Sequence, residues 1–218
     1  EILSGLVGSE MCIRDRLIAN ANGERSHEIL LKSIDALKSM THRGAIGSDG
    51  KTGDGCGILL DLDKTYFKNI LLEEQKINLE NEFAIGQMFC TEKLEHFLPN
   101  IKKILKNENL TLKALREVPT DISVLGEIAT ECLPKIYQLF IESTDSTFYE
   151  DKFETNLFQA RKFIEEIYIN DEKLYFCSFS SKTIVYKGLM LPDAIQDFYL
   201  DPVSYTHLRA HETREDRG

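Results

Sequence analysis

A glycine-rich segment, residues 42–57, has the residue types and spacing most suited to chemistry. It reads H-R-G-A-I-G-S-D-G-K-T-G-D-G-C-G, with six glycines in sixteen residues. Glycines at this density permit positive φ angles and let backbone N–H groups approach a ligand or a neighbouring chain terminus closely. The spacing matches neither the G-x-x-x-x-G-K-[ST] phosphate loop nor the G-x-G-x-x-G dinucleotide pattern. We therefore predict a functional loop that does not bind nucleotide phosphates.

The cysteines outside the chain ends are spread singly along the sequence. They form no C-x-x-C pair, and no histidine cluster lies near them, so neither a metal site nor an iron–sulfur cluster is indicated. The pattern predicts reduced and buried thiols, and a cytoplasmic location follows weakly from it. These residues are Cys56, Cys90, Cys132 and Cys177.

Apolar spacing predicts alternating helices and strands, with the glycine-rich loop between a helix and a strand. Another helix should run from Thr91, as its cap, to residue 106, with Pro99 as a kink or break. Two β-rich runs, 173–179 and 183–186, are separated by three polar residues and predict a hairpin. With antiparallel pairing expected, the class is α+β. The other predicted helices span residues 27–40, 64–72, 126–133 and 149–169, and the other strands 17–21, 57–62, 83–90, 110–118 and 136–141.

Composition and charge restrict the classes of partner. The chain has 218 residues, of which 42% are hydrophobic, and a formal net charge of −10. No run of about 18 apolar residues is present, so a membrane span is not expected. An acidic chain without a lysine and arginine stripe argues against nucleic acid or an anionic membrane as the main partner.

The two ends of the chain can be encoded by one DNA segment in opposite orientations. Ten codons for residues 6–15 (LVGSEMCIRD) can be chosen so that their reverse complement encodes residues 203–212 (VSYTHLRAHE). The implied DNA resembles a transposon-type sequencing adapter. We therefore expect residues 1–16 and 202–218 to be adapter-like artefacts, and residues 17–201 to be the natural part of the chain.

The sequence of the loop is similar to that of one protein family. H-R-G-A at residues 42–45 and D-G-K-T-G-D-G-C-G-I-L at 49–59 resemble the class II glutamine amidotransferase domain of glutamate synthase large chains. Supporting stretches are L-I-A at 17–19, V-P-T at 118–120, V-L-G-E at 124–127 and C-S-F-S-S-K-T-I-V-Y-K-G-L at 177–189. The resemblance covers essentially all of residues 17–201, and the T-G-D-G element distinguishes glutamate synthases from other class II amidotransferases.

The resemblance implies a nucleophile that this sequence lacks. Family members begin, after processing, with Cys-Gly-x-Gly ahead of L-I-A, which places the cysteine where this chain has Ile13. Cys12 is one residue out of register and is not followed by Gly-x-Gly. Within the glycine-rich loop, the residues matching the family's supporting active-site loop are Arg43, Gly44, Asp54, Gly55 and Gly57.

Terminal cysteine chemistry explains why position 13 matters. A free α-amino group, with a pKa near ~7.7–8.0, takes the thiol proton without a histidine. His27 and His42 are therefore interpreted as packing or capping residues, and His96 as an ordinary residue on a helix. Arg43 is interpreted first as a loop-organising residue and Asp54 as a turn residue that makes Asx hydrogen bonds.

The resemblance also implies a fold, a parent reaction and partners. The fold would be the αββα sandwich of N-terminal-nucleophile hydrolases, incomplete here because the downstream glutamine pocket is missing. A truncated sheet exposes edge strands, so we expect the chain to be marginally stable or prone to association. The parent enzyme would pass ammonia from glutamine to 2-oxoglutarate, with FMN and an iron–sulfur cluster in later domains and no cofactor in this part. Partners would be those domains and a small electron-transfer subunit, with ferredoxin or NAD(P)H as donor. Another class II amidotransferase and a noncatalytic binding module are the alternatives.

Overall fold

Helices and strands alternate along the chain, as the sequence predicts. The structure is a computed structural model that describes residues 2–7, 15–22, 27–145, 147–168 and 173–201. The strands are β1 (Ile2–Val7), β2 (Asp15–Asn20), β3 (Cys56–Asp61), β4 (Phe83–Cys90), β5 (Leu110–Glu117), β6 (Lys135–Ser143), β7 (Leu174–Ser180) and β8 (Thr183–Gly188). The helices are α1 (His27–Lys38), α2 (Lys64–Gln75), α3 (Leu98–Asn107), α4 (Glu127–Glu131), α5 (Glu150–Ile167) and α6 (Ile195–Phe198). Short 3₁₀ turns lie at Thr41–Arg43, Leu94–His96, Ile122–Val124 and Pro192–Ala194.

The described chain divides into two compact units. Unit 1 comprises the described parts of residues 1–58, 119–132 and 186–218, and unit 2 comprises those of residues 59–118 and 133–185. Both helix and sheet are abundant, which agrees with the predicted α+β class. No helix in the described ranges is long and apolar enough to cross a bilayer.

Unit 2 is built on a four-stranded antiparallel sheet in the order β5-β6-β4-β7. Alternate residues of a strand point to opposite faces, and Ala84, Met88 and Leu139 lie on the face that packs against α3 and α5. Amphipathic α5 contributes Leu157 and Ile164 to the same core. The opposite face carries Phe140, Phe83 and a row of buried polar side chains.

Helix α2 of unit 2 has clear start and stop signals. The side chain of Asp63 accepts hydrogen bonds from the backbone N–H groups of Thr65 and Tyr66, so it caps the first turn. Lys76 ends the helix in the left-handed conformation, with φ of 59°. The helix buries Phe67, whose ring packs edge-on against Phe140 with 6.0 Å between ring centroids.

In unit 1, β1 and β2 pair antiparallel, and α1 follows them. The segment that follows α6 is anchored in unit 1 by Tyr199, which is fully buried. Its ring packs against Tyr186 at 4.9 Å between centroids, and its hydroxyl donates to the carbonyl of Lys187 at 2.7 Å. Thr120 forms an isolated antiparallel bridge with Tyr199.

Three local predictions were wrong. The runs 173–179 and 183–186 are strands, but they do not form a hairpin: β7 pairs with β4, and β8 pairs with β3. Thr91 does not cap α3, because a 3₁₀ turn lies between them. Pro99 does not kink or break the helix: it lies in the first turn, where a backbone N–H would have no intrahelical acceptor and its absence costs nothing. Of the four cysteines predicted to be buried, Cys90 is buried, Cys56 and Cys177 are partly buried, and Cys132 is exposed.

Candidate functional site

The glycine-rich loop, residues 42–57, connects α1 to β3 within unit 1, as predicted. The 3₁₀ turn Thr41–Arg43 opens it, and the N–H of Gly44 donates to the carbonyl of Thr41 at 3.1 Å. The backbone of Arg43 ends this turn, but its side chain is outside the described part of the structure. His42 is exposed, so its side chain does not have the packing role that was one of the two roles expected for it.

The first half of the loop folds back on itself. Ile46 and Gly53 form an antiparallel bridge, and the N–H of Gly47 donates to the carbonyl of Thr52 at 2.7 Å. At the tip, the Asp49 carboxylate accepts hydrogen bonds from the N–H groups of Lys51 at 3.0 Å and Thr52 at 2.8 Å. These interactions make an Asx turn around Asp49.

The Asx turn is thus observed at Asp49, whereas the sequence predicted one at Asp54. Asp54 is exposed, and in the described part of the chain its carboxylate makes no side-chain hydrogen bond. Its Oδ1 lies on the side of Gly44, 3.9 Å from where a Cβ on Gly44 would be. Gly44 and Asp54, which are ten residues apart, therefore lie close together.

The second half of the loop enters β3 against the segment that follows β8. Gly55 has a φ of +118°, a conformation that residues with a side chain rarely adopt. At Gly57, a Cβ would lie 2.8 Å from the Cβ of Lys187 and 3.0 Å from the carbonyl oxygen of Tyr186. These two glycines are required by backbone conformation and by close approach, respectively.

Gly57→Ala is expected to lower the free energy of unfolding by about 1–3 kcal/mol, since the added methyl group must push two backbones apart. Chemical denaturation of the full chain measures the change. Gly50→Ala is a useful comparison, because Gly50 has open space around it and only its φ of +70° opposes a side chain. Equal stability of Gly57→Ala and the unsubstituted chain would show that the strands separate easily at this point.

The loop cysteine, Cys56, has a thiol of low reactivity. Burial raises the pKa of the Cys56 thiol to about 12, so this thiol is protonated near neutral pH, and a thiolate is the reactive species. Cys12 and Ile13 lie outside the described residues. The four cysteines in the described ranges are thiols rather than disulfides.

The structure adds two side chains that the sequence did not single out, Asp49 and Thr52. Both belong to the D-G-K-T part of the motif, and both contact the start of α4. The signal available in the sequence was the aspartate ahead of a glycine and a threonine, which is typical of an Asx turn. Among the described residues, no group of three or more histidine, cysteine or acidic side chains is arranged to hold a metal ion.

Known proteins provide an independent comparison. The family model described as glutamine amidotransferases class-II matches residues 16–210. The chain is 34% identical over 195 residues to ferredoxin-dependent glutamate synthase 1, chloroplastic/mitochondrial, of Arabidopsis thaliana, covering 84% of this chain and 12% of that protein. It is 37% identical over 192 residues to ferredoxin-dependent glutamate synthase of Pyropia yezoensis, with 84% and 12% covered.

A bacterial relative shows the same proportions. Identity to the glutamate synthase [NADPH] large chain of Bacillus subtilis is 31% over 191 residues, covering 85% of this chain and 12% of the relative. The chain thus spans about an eighth of the length of these relatives. Their names include both ferredoxin-dependent and NADPH enzymes, so the match does not distinguish the electron donor.

Proposed function

Because the chain belongs to the class-II glutamine amidotransferases, we propose that it is part of the ammonia-producing glutaminase domain of a glutamate synthase. The observation that carries the proposal is the loop of residues 42–57, which has the H-R-G and T-G-D-G motifs and a tightly held backbone. The αββα sandwich belongs to the same proposal. The sheet of unit 2, with α3 and α5 packed on one face, is compatible with one sheet and helix layer of it.

In this reaction the nucleophile is an N-terminal cysteine. Its α-amino group accepts the thiol proton, and the thiolate attacks the carbon of the glutamine side-chain amide. Hydrogen-bond donors stabilise the oxyanion, the proton passes to the leaving nitrogen, and ammonia departs to leave a γ-glutamyl thioester. Water then hydrolyses the thioester to glutamate and regenerates the thiol. The contribution proposed for this chain is the loop of residues 42–57 that supports the nucleophile.

The wider parts of the proposal concern the complete enzyme. There, ammonia would be used in the reductive amination of 2-oxoglutarate, with two electrons from ferredoxin or NAD(P)H carried by FMN and an iron–sulfur cluster in other domains. The cysteines described here do not fit such a cluster, and no step of this chain is assigned to it. Cytoplasmic location and a separate electron-transfer subunit remain proposals, the former supported only by the reduced thiols.

The chain as given is proposed to be inactive. Ile13 occupies the register position of the nucleophile, and the raised pKa of Cys56 keeps the loop thiol protonated near neutral pH. Residues 1–16 and 202–218 are proposed to be adapter-derived, although the family model extends to residue 210.

The test begins by sequencing outward from residues 26–45 and 173–189 in source DNA, and then expressing the intact gene. We expect Cys-Gly-x-Gly in place of residues 13–16 and glutamine-dependent ammonia release by the intact protein. Replacing that cysteine with alanine should abolish ammonia release, and the 218-residue chain should show none. Native DNA that encodes residues 6–16 as given would contradict the proposal and favour a binding module. Ammonia transfer to a sugar phosphate instead of 2-oxoglutarate would indicate another class II amidotransferase.

A further inference from the structure

Helix α4 in unit 1 receives its N-terminal cap from a distant part of the sequence. Its N-cap residue is Gly126, which has no side chain to accept a hydrogen bond. Asp49 Oδ2 instead accepts from the N–H of Ile128 at 3.3 Å, and Thr52 Oγ1 accepts from the N–H of Ala129 at 3.3 Å. These N–H groups lack partners inside a helix, so the glycine-rich loop satisfies donors that α4 leaves open.

Asp49 and Thr52 are also hydrogen-bonded to each other within the loop. The Thr52 hydroxyl donates to Asp49 Oδ2 at 2.5 Å, and Asp49 Oδ1 accepts from the backbone N–H groups of residues 51 and 52. Thr52 is 7% exposed. The hydrogen bonds from Thr52, from its hydroxyl first and then its N–H, hold the pKa of Asp49 well below its usual value. Asp49 is therefore a carboxylate near neutral pH, the form that a helix N-terminus favours.

The loop approaches α4 so closely at Gly126 that no side chain would fit there. A Cβ at this position would lie 2.5 Å from Thr52 Oγ1 and would also collide with the Asp49 carboxylate. The φ of Gly126 is −78°, which any residue can adopt. The glycine is therefore explained by the space that Asp49 and Thr52 occupy and not by backbone conformation.

We infer that Asp49, Thr52 and Gly126 form a latch that fastens the glycine-rich loop to α4 and so positions residues 44–57 for the glutaminase reaction. In this inference Asp49 and Thr52 are positioning residues, which act on the reaction through the loop. The latch itself is an intramolecular contact, and its kinetic consequence rests on the proposed function. The two parts are therefore tested separately.

The contact is tested on the 218-residue chain by hydrogen exchange followed with NMR. Asp49→Asn keeps a side-chain oxygen for the turn but removes the second acceptor, and Thr52→Val removes the hydroxyl while keeping the shape. Each should speed exchange at the amides of Ile128 and Ala129 by about tenfold or more, since a charge-assisted hydrogen-bond network is lost. Thr52→Ser, which retains the hydroxyl, should restore slow exchange.

Asp121→Asn is the matched control, because Asp121 also makes a turn hydrogen bond in unit 1, accepting from the N–H of Ser123 at 2.9 Å. It should leave exchange at Ile128 and Ala129 unchanged. Unchanged exchange in both Asp49→Asn and Thr52→Val would overturn the latch. Faster exchange throughout the chain in either variant would also count against it, since that result indicates general unfolding.

The kinetic arm uses the intact enzyme. Asp49→Asn and Thr52→Val should lower kcat for glutamine hydrolysis by about 10- to 100-fold, because small displacements of supporting groups reduce the rate of chemistry strongly. KM for glutamine should change less than about twofold if the loop acts on the reacting groups and not on substrate binding. Thr52→Ser should recover most of kcat, and Asp121→Asn should retain all of it.

The outcomes separate the two hypotheses. Faster exchange at α4 with unchanged kcat would refute the positioning role. Absence of glutaminase activity in the unsubstituted intact enzyme would refute the proposed function, while the exchange measurements would still decide whether the latch exists.

Discussion

Phe140→Ala is expected to lower the free energy of unfolding by about 3–5 kcal/mol, the usual range for removing a buried aromatic side chain. Phe140 is fully buried on the sheet face of unit 2 opposite α3 and α5. Its ring lies 6.0 Å from those of both Phe67 and Phe83, measured between centroids. The substitution thus removes two aromatic contacts and leaves a cavity between α2 and the sheet.

The size of this effect bears on the predicted marginal stability of the chain. Domains typically have about 5–15 kcal/mol of stability, so a chain at the low end should lose its cooperative transition when Phe140 is truncated. Urea denaturation, monitored by far-ultraviolet circular dichroism, measures both the free energy of unfolding and the cooperativity of the transition. Phe158→Ala is the matched control, since Phe158 on α5 is 60% exposed, and it should change stability by less than about 0.5 kcal/mol. Equal effects of the two substitutions would show that the Phe140 environment is not a packed core.

Elements with strong local signals were predicted well from the sequence. Strand β4 was predicted with its observed limits, because its apolar run is bounded by polar residues on both sides. Helix α1 was predicted within two residues, from apolar residues at helical spacing. Such elements depend on neighbours in sequence, which a single sequence displays directly.

Pairing between distant segments could not be predicted in the same way. The polar residues between β7 and β8 resemble a hairpin turn, but each strand finds its hydrogen-bond partners far away in sequence, in β4 and β3. Which of two short strands pairs with which edge depends on the burial of both faces, and local turn signals carry no information about that.

The candidate site shows the same division. Motif resemblance selected the correct loop, and the structure explains Gly55 and Gly57 by conformation and close approach. It did not select Asp49, because the partner that gives this residue a role, the N–H of Ile128, is 79 residues away. The sequence predicted Gly126 at the start of a helix, but the reason for a glycine there is the position of Asp49 and Thr52, which the sequence does not reveal.

Glu74→Ala is expected to lower the free energy of unfolding by about 3 kcal/mol, because it leaves a buried guanidinium without its carboxylate. Arg116 on β5 is 4% exposed and makes two hydrogen bonds to Glu74, at 2.9 and 3.0 Å. Arg116 also donates to the side chain of Gln138 at 3.0 Å, and Gln138 donates in turn to Gln87. Arg116, Gln138 and Gln87 are cross-strand neighbours on β5, β6 and β4 in the observed register.

The reverse substitution should cost less, although it breaks the same ion pair. In Arg116→Met the orphaned partner is Glu74, whose side chain is 45% exposed and can return to water. Methionine also fills much of the arginine volume. We expect a loss of about 1–2 kcal/mol, mainly from the acceptor left on Gln138. The double variant should resemble Arg116→Met alone, because removing Glu74 has no further effect on a guanidinium that is already absent.

Denaturation of the two single variants and the double variant gives the coupling energy directly. Glu73→Ala is the control, since Glu73 is an exposed neighbour on the same helix, and it should be nearly neutral. If Arg116→Met proved more destabilising than Glu74→Ala, the packing and hydrogen bonds of the arginine would outweigh the loss of its ion pair with Glu74. The order of the two effects therefore reveals how much Glu74 stabilises the buried guanidinium of Arg116.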